Sequence, residues 1–205
     1  MWRANARKVV VLFSGGVEST CLLYYYLMQG WLTYPLYVKA GYPWERLELE
    51  KAKRLWLFVK DTYRGLMPMR VSTLVNPERP EKRGHERELY IPIRNLSLVT
   101  TASLYAIRKG IECIALGSLG MYPFPDNNAE YMQSLEKLAG LKVFAPFMGM
   151  HKREVIEKFL GVVPFERTLS CINPKRRGRR IEVCGRCPKC EERREAFSLG
   201  LNQIT

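Results

Sequence analysis

Apolar runs and amphipathic stretches alternate along this chain from its first strand onward. Residues 8–13 carry "KVVVLF", a continuous apolar run that predicts a buried strand, and 19–29 follow with a helical pattern. A second strand is predicted over 32–39, then a charged amphipathic helix over 44–60 and a third strand over 67–74. Residues 95–109 read as a helix with Leu96, Val99, Leu104 and Ile107 facing inward. A strand over 112–116, a helix over 129–139, a strand over 142–145 and a helix over 152–160 complete the series. Strands that alternate with helices, and that are apolar on both sides, imply a mostly parallel sheet covered on both faces. The predicted fold class is therefore α/β, a doubly wound sandwich, whose ligands sit at the carboxyl ends of the strands.

Two segments break the rhythm. Residues 75–93 include "NPERPEKRGHERELYIP", proline-rich and charged, the character of a lid or binding loop. After about Val163 the chain turns basic and cysteine-bearing. This divides it into a main domain, 1–165, and a small C-terminal module, 166–205.

Composition narrows the class. The 205 residues suit one ordinary domain with an appendage. The longest apolar stretch, 21–28, is far short of the roughly 20 residues of a membrane helix. "VVVLF" is too short for a signal-peptide core and no small-residue cleavage site follows it, so a cytoplasmic protein with no membrane association is expected. The formal net charge of +13 describes either a solvated basic surface or an anionic partner such as a nucleotide, an acidic substrate or RNA.

Chemistry begins at "LFSGGVEST", residues 12–20, between the first strand and the first helix. A helix N-terminus offers unpaired N–H groups and partial positive charge. Gly15 and Gly16 let the backbone close around an anion, and Ser14, Ser19 and Thr20 carry hydroxyls. The loop suits a phosphate. It lacks the lysine of G-x-x-x-x-G-K-[ST], which reaches the β- and γ-phosphates. The plain alternative is a serine–glycine turn with capping residues.

Near the other end, Cys184-x-x-Cys187-x-x-Cys190 with Cys171 upstream offers four thiolates at knuckle spacing. A tetrahedral structural zinc is the natural reading, with disulfides or an iron–sulfur cluster as alternatives. Cys21 and Cys113 lie in apolar elements and read as packing residues. The intervening "PKRRGRR" reads first as a solvated basic loop and second as an RNA contact.

S-G-G-x-[DE]-S-T after a first strand resembles the pyrophosphate loop of the N-type ATP pyrophosphatases. In that family the loop grips the leaving pyrophosphate of ATP, with Mg²⁺, while the substrate becomes an adenylate. Later segments resemble the 7-cyano-7-deazaguanine synthases in the same order over nearly the whole chain. These are "LYIPIRNLSLVTTASLYAIRKGIECIALGSL", "FPDNNAEYMQSLEKL", "FAPFMGMHKREVIEKFL" and "TLSCINPKRRGRRIEVCGRCPKCEERREAF". The resemblance implies an adenine nucleotide alpha hydrolase-like fold. It implies an ATP site of Leu12, Phe13, Ser14, Gly15, Gly16, Val17, Glu18, Ser19 and Thr20, and a structural zinc on Cys171, Cys184, Cys187 and Cys190.

The implied reaction converts 7-carboxy-7-deazaguanine and ammonia to the nitrile through adenylates. Arg94, Asn95, Asp126 and Glu130 would bind the substrate, and Ser14, Lys152 and Arg94 would act in catalysis. Free ammonia is the expected nitrogen source, and a homodimer is compatible with the resemblance. The loop carries Glu18 where the family usually has aspartate. The substrate segment reads Phe124-Pro125-Asp126-Asn127-Asn128-Ala129-Glu130, without the family's cysteine and arginine, and Gly41-Tyr42-Pro43-Trp44 lacks its histidine.

Each of these residues also has a plainer role. Asp126 and Glu130, four apart across a helix start, suit an N-cap and a first-turn acid as well as the N–H edge of a guanine-like base. Arg94 suits a phosphate or carboxylate clamp, or a surface position. Lys152 suits charge balance on an α-phosphate, or solvent. His85 and His151 are assigned no role. Two other activities fit the same residues: a related ligase or tRNA-modifying enzyme acting on another acceptor, and an inactive nucleotide- or RNA-binding paralogue.

Overall fold

Val9, Val10 and Val11 have no exposed surface, so the first strand is covered on both faces. A computed structural model describes residues 6–74, 93–120 and 124–198. Strands β1 (Lys8–Leu12), β2 (Leu32–Lys39), β3 (Arg70–Thr73), β4 (Cys113–Ala115) and β5 (Lys142–Phe144) form one sheet in the order β3-β2-β1-β4-β5. All four pairings are parallel. Alternate residues of β1 serve opposite faces, as a strand of period two requires. Val9 and Val11 join helices α1 (Val17–Met28), α2 (Glu45–Val59) and α5 (Lys152–Lys158) in one core cluster. Val10 and Leu12 join α3 (Arg94–Arg108) and α4 (Ala129–Ala139) in the other.

The chain winds outward from β1 to β3 and then crosses to β4, on the far side of β1. The reversal leaves a crevice at the carboxyl ends of β1 and β4, the place where ligands bind in such sheets. The segments after these two strands meet there. A Cβ on Gly117, just past β4, would stand 3.1 Å from the main chain of Glu18 at the start of α1.

Most of the loop expected over 75–93, with His85, lies outside the described residues; Ile93 alone is described, with a φ of 52° just before α3. The expected inward face of α3 is corrected. Val99 is buried, but Leu104 and Ile107 are exposed at 63% and 61%, and Leu96 is half-buried. Val99, Ala102, Ser103 and Ala106 face the sheet instead. These smaller residues recur at helical spacing and let the helix approach closely, which turns the bulky pair outward.

The basic tail is also more ordered than a solvated loop. Lys175–Arg177 (β6) and Arg180–Glu182 (β7) form an antiparallel hairpin, and Pro188–Ser198 forms a sixth helix, α6. Neither follows a hydrophobic period. The hairpin strands read Lys-Arg-Arg and Arg-Ile-Glu, and α6 buries only Cys190 and Ala196. Ala196 enters the core cluster of α1 and α5, and Phe165 meets Phe197 edge-on at 5.3 Å, so the tail packs directly on the main body.

Candidate nucleotide site and metal centre

The loop from Ser14 to Thr20 joins the end of β1 to the first turn of α1. Gly15 has a φ of +79°, and a Cβ there would lie 3.0 Å from both Cα and Cβ of Ala52 on α2. Both facts require glycine. Gly16 is the N-cap of α1 and supplies no side chain to cap it. The first-turn amides, which have no intrahelical acceptor, therefore face the crevice open to an anion. Gly16 N–H donates to Ser14 Oγ at 3.3 Å, and Ser14 Oγ lies 3.2 Å from Ser19 Oγ.

The remaining loop side chains are structural. Thr20 is fully buried and its hydroxyl donates back to Gly16 O at 2.6 Å; Ser19 makes the same bond at 3.2 Å. Leu12, Phe13 and Val17 are core residues, and Phe13 N–H donates to Leu36 O at 2.8 Å. Any contact these three make with a nucleotide is through the main chain. The sequence pattern could not separate hydroxyls that face the crevice from those that close the helix.

Glu18 and Lys152, 134 positions apart in sequence, meet at the mouth of the loop. Lys152 is 5% exposed, and its Nζ is 2.8 Å from Glu18 Oε1 and 2.8 Å from Glu192 Oε1 on α6. Burial alone would lower the lysine pKa; the two carboxylates outweigh it and hold the ammonium above its ordinary value. Lys189 also pairs with Glu192, at 2.9 Å. Leu169 N–H donates to Gly15 O at 2.9 Å, and Arg193 grips Thr168 Oγ1 and Phe165 O at 2.7 Å each. The tail thus clamps the back of the loop. Nothing in the sequence pattern pointed to Glu192 or Arg193, because α6 reads as a charged surface helix.

A second cluster lies at the carboxyl end of β2. Glu45 Oε2 accepts from the N–H groups of Ala40 and Gly41 at 2.5 and 2.9 Å, tying the turn to the start of α2. Tyr37 donates its hydroxyl to Glu48 Oε2 at 2.6 Å. Glu48 and Ala52, the residue that Gly15 packs against, stand one helical turn apart on the same side of α2. Burial pushes Glu48 up to about 7, with Glu45 adding to the rise; the Tyr37 hydroxyl and Arg94 oppose it. Tyr42 stacks on Trp44, centroids 4.9 Å apart, and interacts with Arg94. In the sequence Glu48 is one charge of an amphipathic helix; its partner Tyr37 comes from the neighbouring strand.

The substrate segment is placed differently from its sequence reading. Asp126 is buried but does not cap α4; that cap is Asn128, whose side chain accepts from Tyr131 N–H at 2.8 Å. Asp126 instead holds the start of α3: Oδ2 accepts from Asn95 N–H at 3.1 Å, and its carbonyl accepts from Asn95 Nδ2 at 2.6 Å. Asn127 is buried and accepts from the Ser118 hydroxyl, beyond β4. Glu130 and Arg94 are exposed. The fold therefore joins Asn95 to Asp126 and places Arg94 beside the Tyr42–Glu48 cluster. The Cys21 thiol is fully buried and Cys113 half-buried, and burial raises both pKa values, so neither presents a reactive thiolate.

The four tail cysteines converge. Their sulfurs all lie within 4.8 Å of one another. Cys187 Sγ is 3.5 Å from Cys190 Sγ and 4.0 Å from Cys171 Sγ, and Cys184 Sγ is 4.0 Å from Cys190 Sγ. Four sulfurs about 2.3 Å from one centre stand roughly 3.8 Å apart, so the cluster could hold a metal. Asn173 and Cys184 N–H groups point at Cys171 Sγ at 3.4 and 3.3 Å, the donors a bound thiolate attracts. Leu169, Ile172 and Ile181 shield it.

Comparison with known proteins adds three findings. The family model for queuosine biosynthesis protein QueC matches residues 8–200. The chain is 31% identical to a 7-cyano-7-deazaguanine synthase of Methanoculleus marisnigri, over 95% of this chain and 96% of that one. It is 30% identical to that of Pyrococcus furiosus, over 96% and 95%. Two solved structures share the fold. One is a "predicted subunit of tRNA methyltransferase" from Methanocaldococcus jannaschii (TM-score 0.50, 19% identity, 74% of this chain and 75% of that one). The other is a 4-thiouridine synthetase–RNA complex with bound ATP (TM-score 0.53, 20% identity, 78% and 42%). Among the described residues, no helix is long and apolar enough to cross a membrane.

Proposed function

Because the chain belongs to the queuosine biosynthesis protein QueC family, we propose that it is an ATP-dependent synthase that converts 7-carboxy-7-deazaguanine and ammonia to 7-cyano-7-deazaguanine. The observation that carries this reading is the uncapped turn at Gly16, open to an anion at the carboxyl end of β1 and built without a lysine of its own. Such a loop suits a pyrophosphate that leaves, so ATP breaks between its α- and β-phosphates.

In the proposed sequence the carboxylate attacks the α-phosphate and pyrophosphate departs. Ammonia displaces AMP to give the amide and loses a proton. The amide oxygen is adenylated by a second ATP, and loss of AMP and a proton leaves the nitrile. The chain's own contribution is positioning and charge stabilisation. Ser14 and the first-turn amides hold the leaving group. Lys152 stays an ammonium beside the loop, paired with Glu18 and Glu192, and Arg94, Asn95, Asp126 and Glu130 orient the acceptor. Mg²⁺ would neutralise the departing charge, and a structural zinc would occupy Cys171, Cys184, Cys187 and Cys190.

A second reading, a related ligase acting on another acceptor, is favoured by one observation. The substrate segment has asparagines where the family has cysteine and arginine, and they cap α4 and bond Ser118. Product analysis decides. With 7-carboxy-7-deazaguanine and ammonia, two AMP and two pyrophosphate should form per nitrile. Release of ADP and phosphate would overturn the assignment. AMP formation with a different acceptor alone would establish the second reading.

A further inference from the structure

Much of the net charge of +13 lies away from the crevice. In the β6–β7 hairpin Lys175 stands opposite Glu182, Arg176 opposite Ile181 and Arg177 opposite Arg180. Gly178, with a φ of +57°, takes the first of two turn positions, as in a type II′ turn. Side chains alternate, so Arg176 and Ile181 share one face and Lys175, Arg177, Arg180 and Glu182 the other. The inner face is anchored. Arg176 pairs with Glu50 of α2, Ile181 packs on the cysteine cluster, and Arg54 donates to Arg179 O at 3.0 Å.

The outer face is exposed and built against its own interest. Two guanidiniums directly opposite each other, Arg177 and Arg180, destabilise a hairpin. Glu182 relieves only Arg177, at 3.1 Å, and among the described residues no ion pair holds Lys175, Arg179 or Arg180. On neighbouring α2 and beside it the arginines are paired, Arg54 with Glu50 at 2.7 Å and Arg167 with Glu166 at 3.5 Å. The Lys51 ammonium is held below its ordinary value, by burial first and then by Arg54, Arg167 and Arg193. One turn beyond Arg54, Phe58 is 46% exposed, and the Arg167 guanidinium lies 3.8 Å from its ring centroid.

We propose that the outer face of this hairpin, continued by Arg54, Arg167 and Phe58, binds single-stranded RNA. Lys175, Arg177, Arg179 and Arg180 take phosphates, while the Phe58–Arg167 pair stacks an unpaired base. Same-face side chains of a strand repeat about every 6.6 Å, a spacing suited to successive phosphates of an extended strand. A stacking platform needs a base that is already unpaired, which RNA loops present and duplex DNA does not. The surface is separate from the crevice, so this inference stands or falls independently of the proposed reaction.

Fluorescence anisotropy of a labelled unpaired RNA of about twelve nucleotides, titrated with the full chain at several salt concentrations, tests it. The quadruple variant K175Q/R177Q/R179Q/R180Q should bind at least about tenfold more weakly, and its log–log salt slope should fall by about two to three. F58A, at an exposed site, should weaken binding about fivefold or more with the slope unchanged. The charge-preserving R177K/R179K/R180K should keep the slope, which separates lost charge from lost folding. The proposal is overturned if the quadruple variant binds like the parent, if F58A has no effect, or if duplex DNA of the same length binds as tightly.

Discussion

Lys152 holds Glu18 and Glu192 on a single ammonium, each at 2.8 Å, and so fastens the first turn of the phosphate loop to the last helix of the chain. Removing the cation leaves two part-buried carboxylates side by side. Lys152→Met should lower stability by about 2–4 kcal/mol, because the loss of one partner of a buried ion pair exposes the cost of the other. Urea denaturation measures this, and an unchanged midpoint would show that the pair is solvated.

Glu18→Asp shortens the same bridge by one methylene. If Glu18 serves as the family's aspartate does, the variant should retain substantial ATP cleavage, whereas Glu18→Gln should lose most of it with the charge. Equal losses in both would show that side-chain length, not charge, matters at this position.

At the loop, Gly15 and Gly16 should fail for different reasons. Gly15→Ala places a Cβ against the Ala52 main chain at positive φ and should cost at least about 1 kcal/mol of stability. Gly16→Val introduces a branched side chain 3.3 Å from Ser14 Oγ and should reduce turnover more than stability. Ser14→Ala should cut turnover about tenfold or more by loss of a hydroxyl donor. Thermal melts beside AMP release separate these effects.

The cysteine cluster predicts one zinc per chain by elemental analysis. Cys187→Ser or chelation should remove the metal and lower the melting temperature by on the order of 10 °C, since binding energy at such sites is folding energy. ATP cleavage should weaken with the tail's unfolding, through Leu169 and Glu192, and should not be abolished selectively. Iron with a visible chromophore would reject the zinc assignment.

Glu48 predicts a pH dependence with a defined sign. Its carboxyl titrates near 4.5 in the unfolded chain and is pushed up to about 7 in the folded one. Between these values the folded state binds the extra proton, so stability falls as pH rises through the window. Glu48→Gln should flatten that fall between pH 5 and pH 8, measured by urea midpoints. Equal slopes in both proteins would mean that Glu48 is ionised throughout.

Local pattern by itself determined the layers and the ends of the site. Three valines in a row specify a strand buried on both faces, two glycines before a helix specify an open N-terminus, and three cysteines at knuckle spacing specify a metal-sized cluster. Each is a short-range property of neighbouring residues. Only tertiary structure decided which of these groups meet. Lys152 finds Glu18 and Glu192 because α5 and α6 pack together against α1. Glu48 acquires its proton affinity from burial by the elements packed around it, against the opposing pull of Tyr37 and Arg94. The inward face of α3 went to Ala102, Ser103 and Ala106 rather than to Leu104 and Ile107, because closeness to the sheet favours small side chains. Asp126 holds α3 rather than α4 because of the fold around it. A sequence states which groups exist and their local geometry, while ion pairs, pKa values and caps across elements depend on distances that only packing sets.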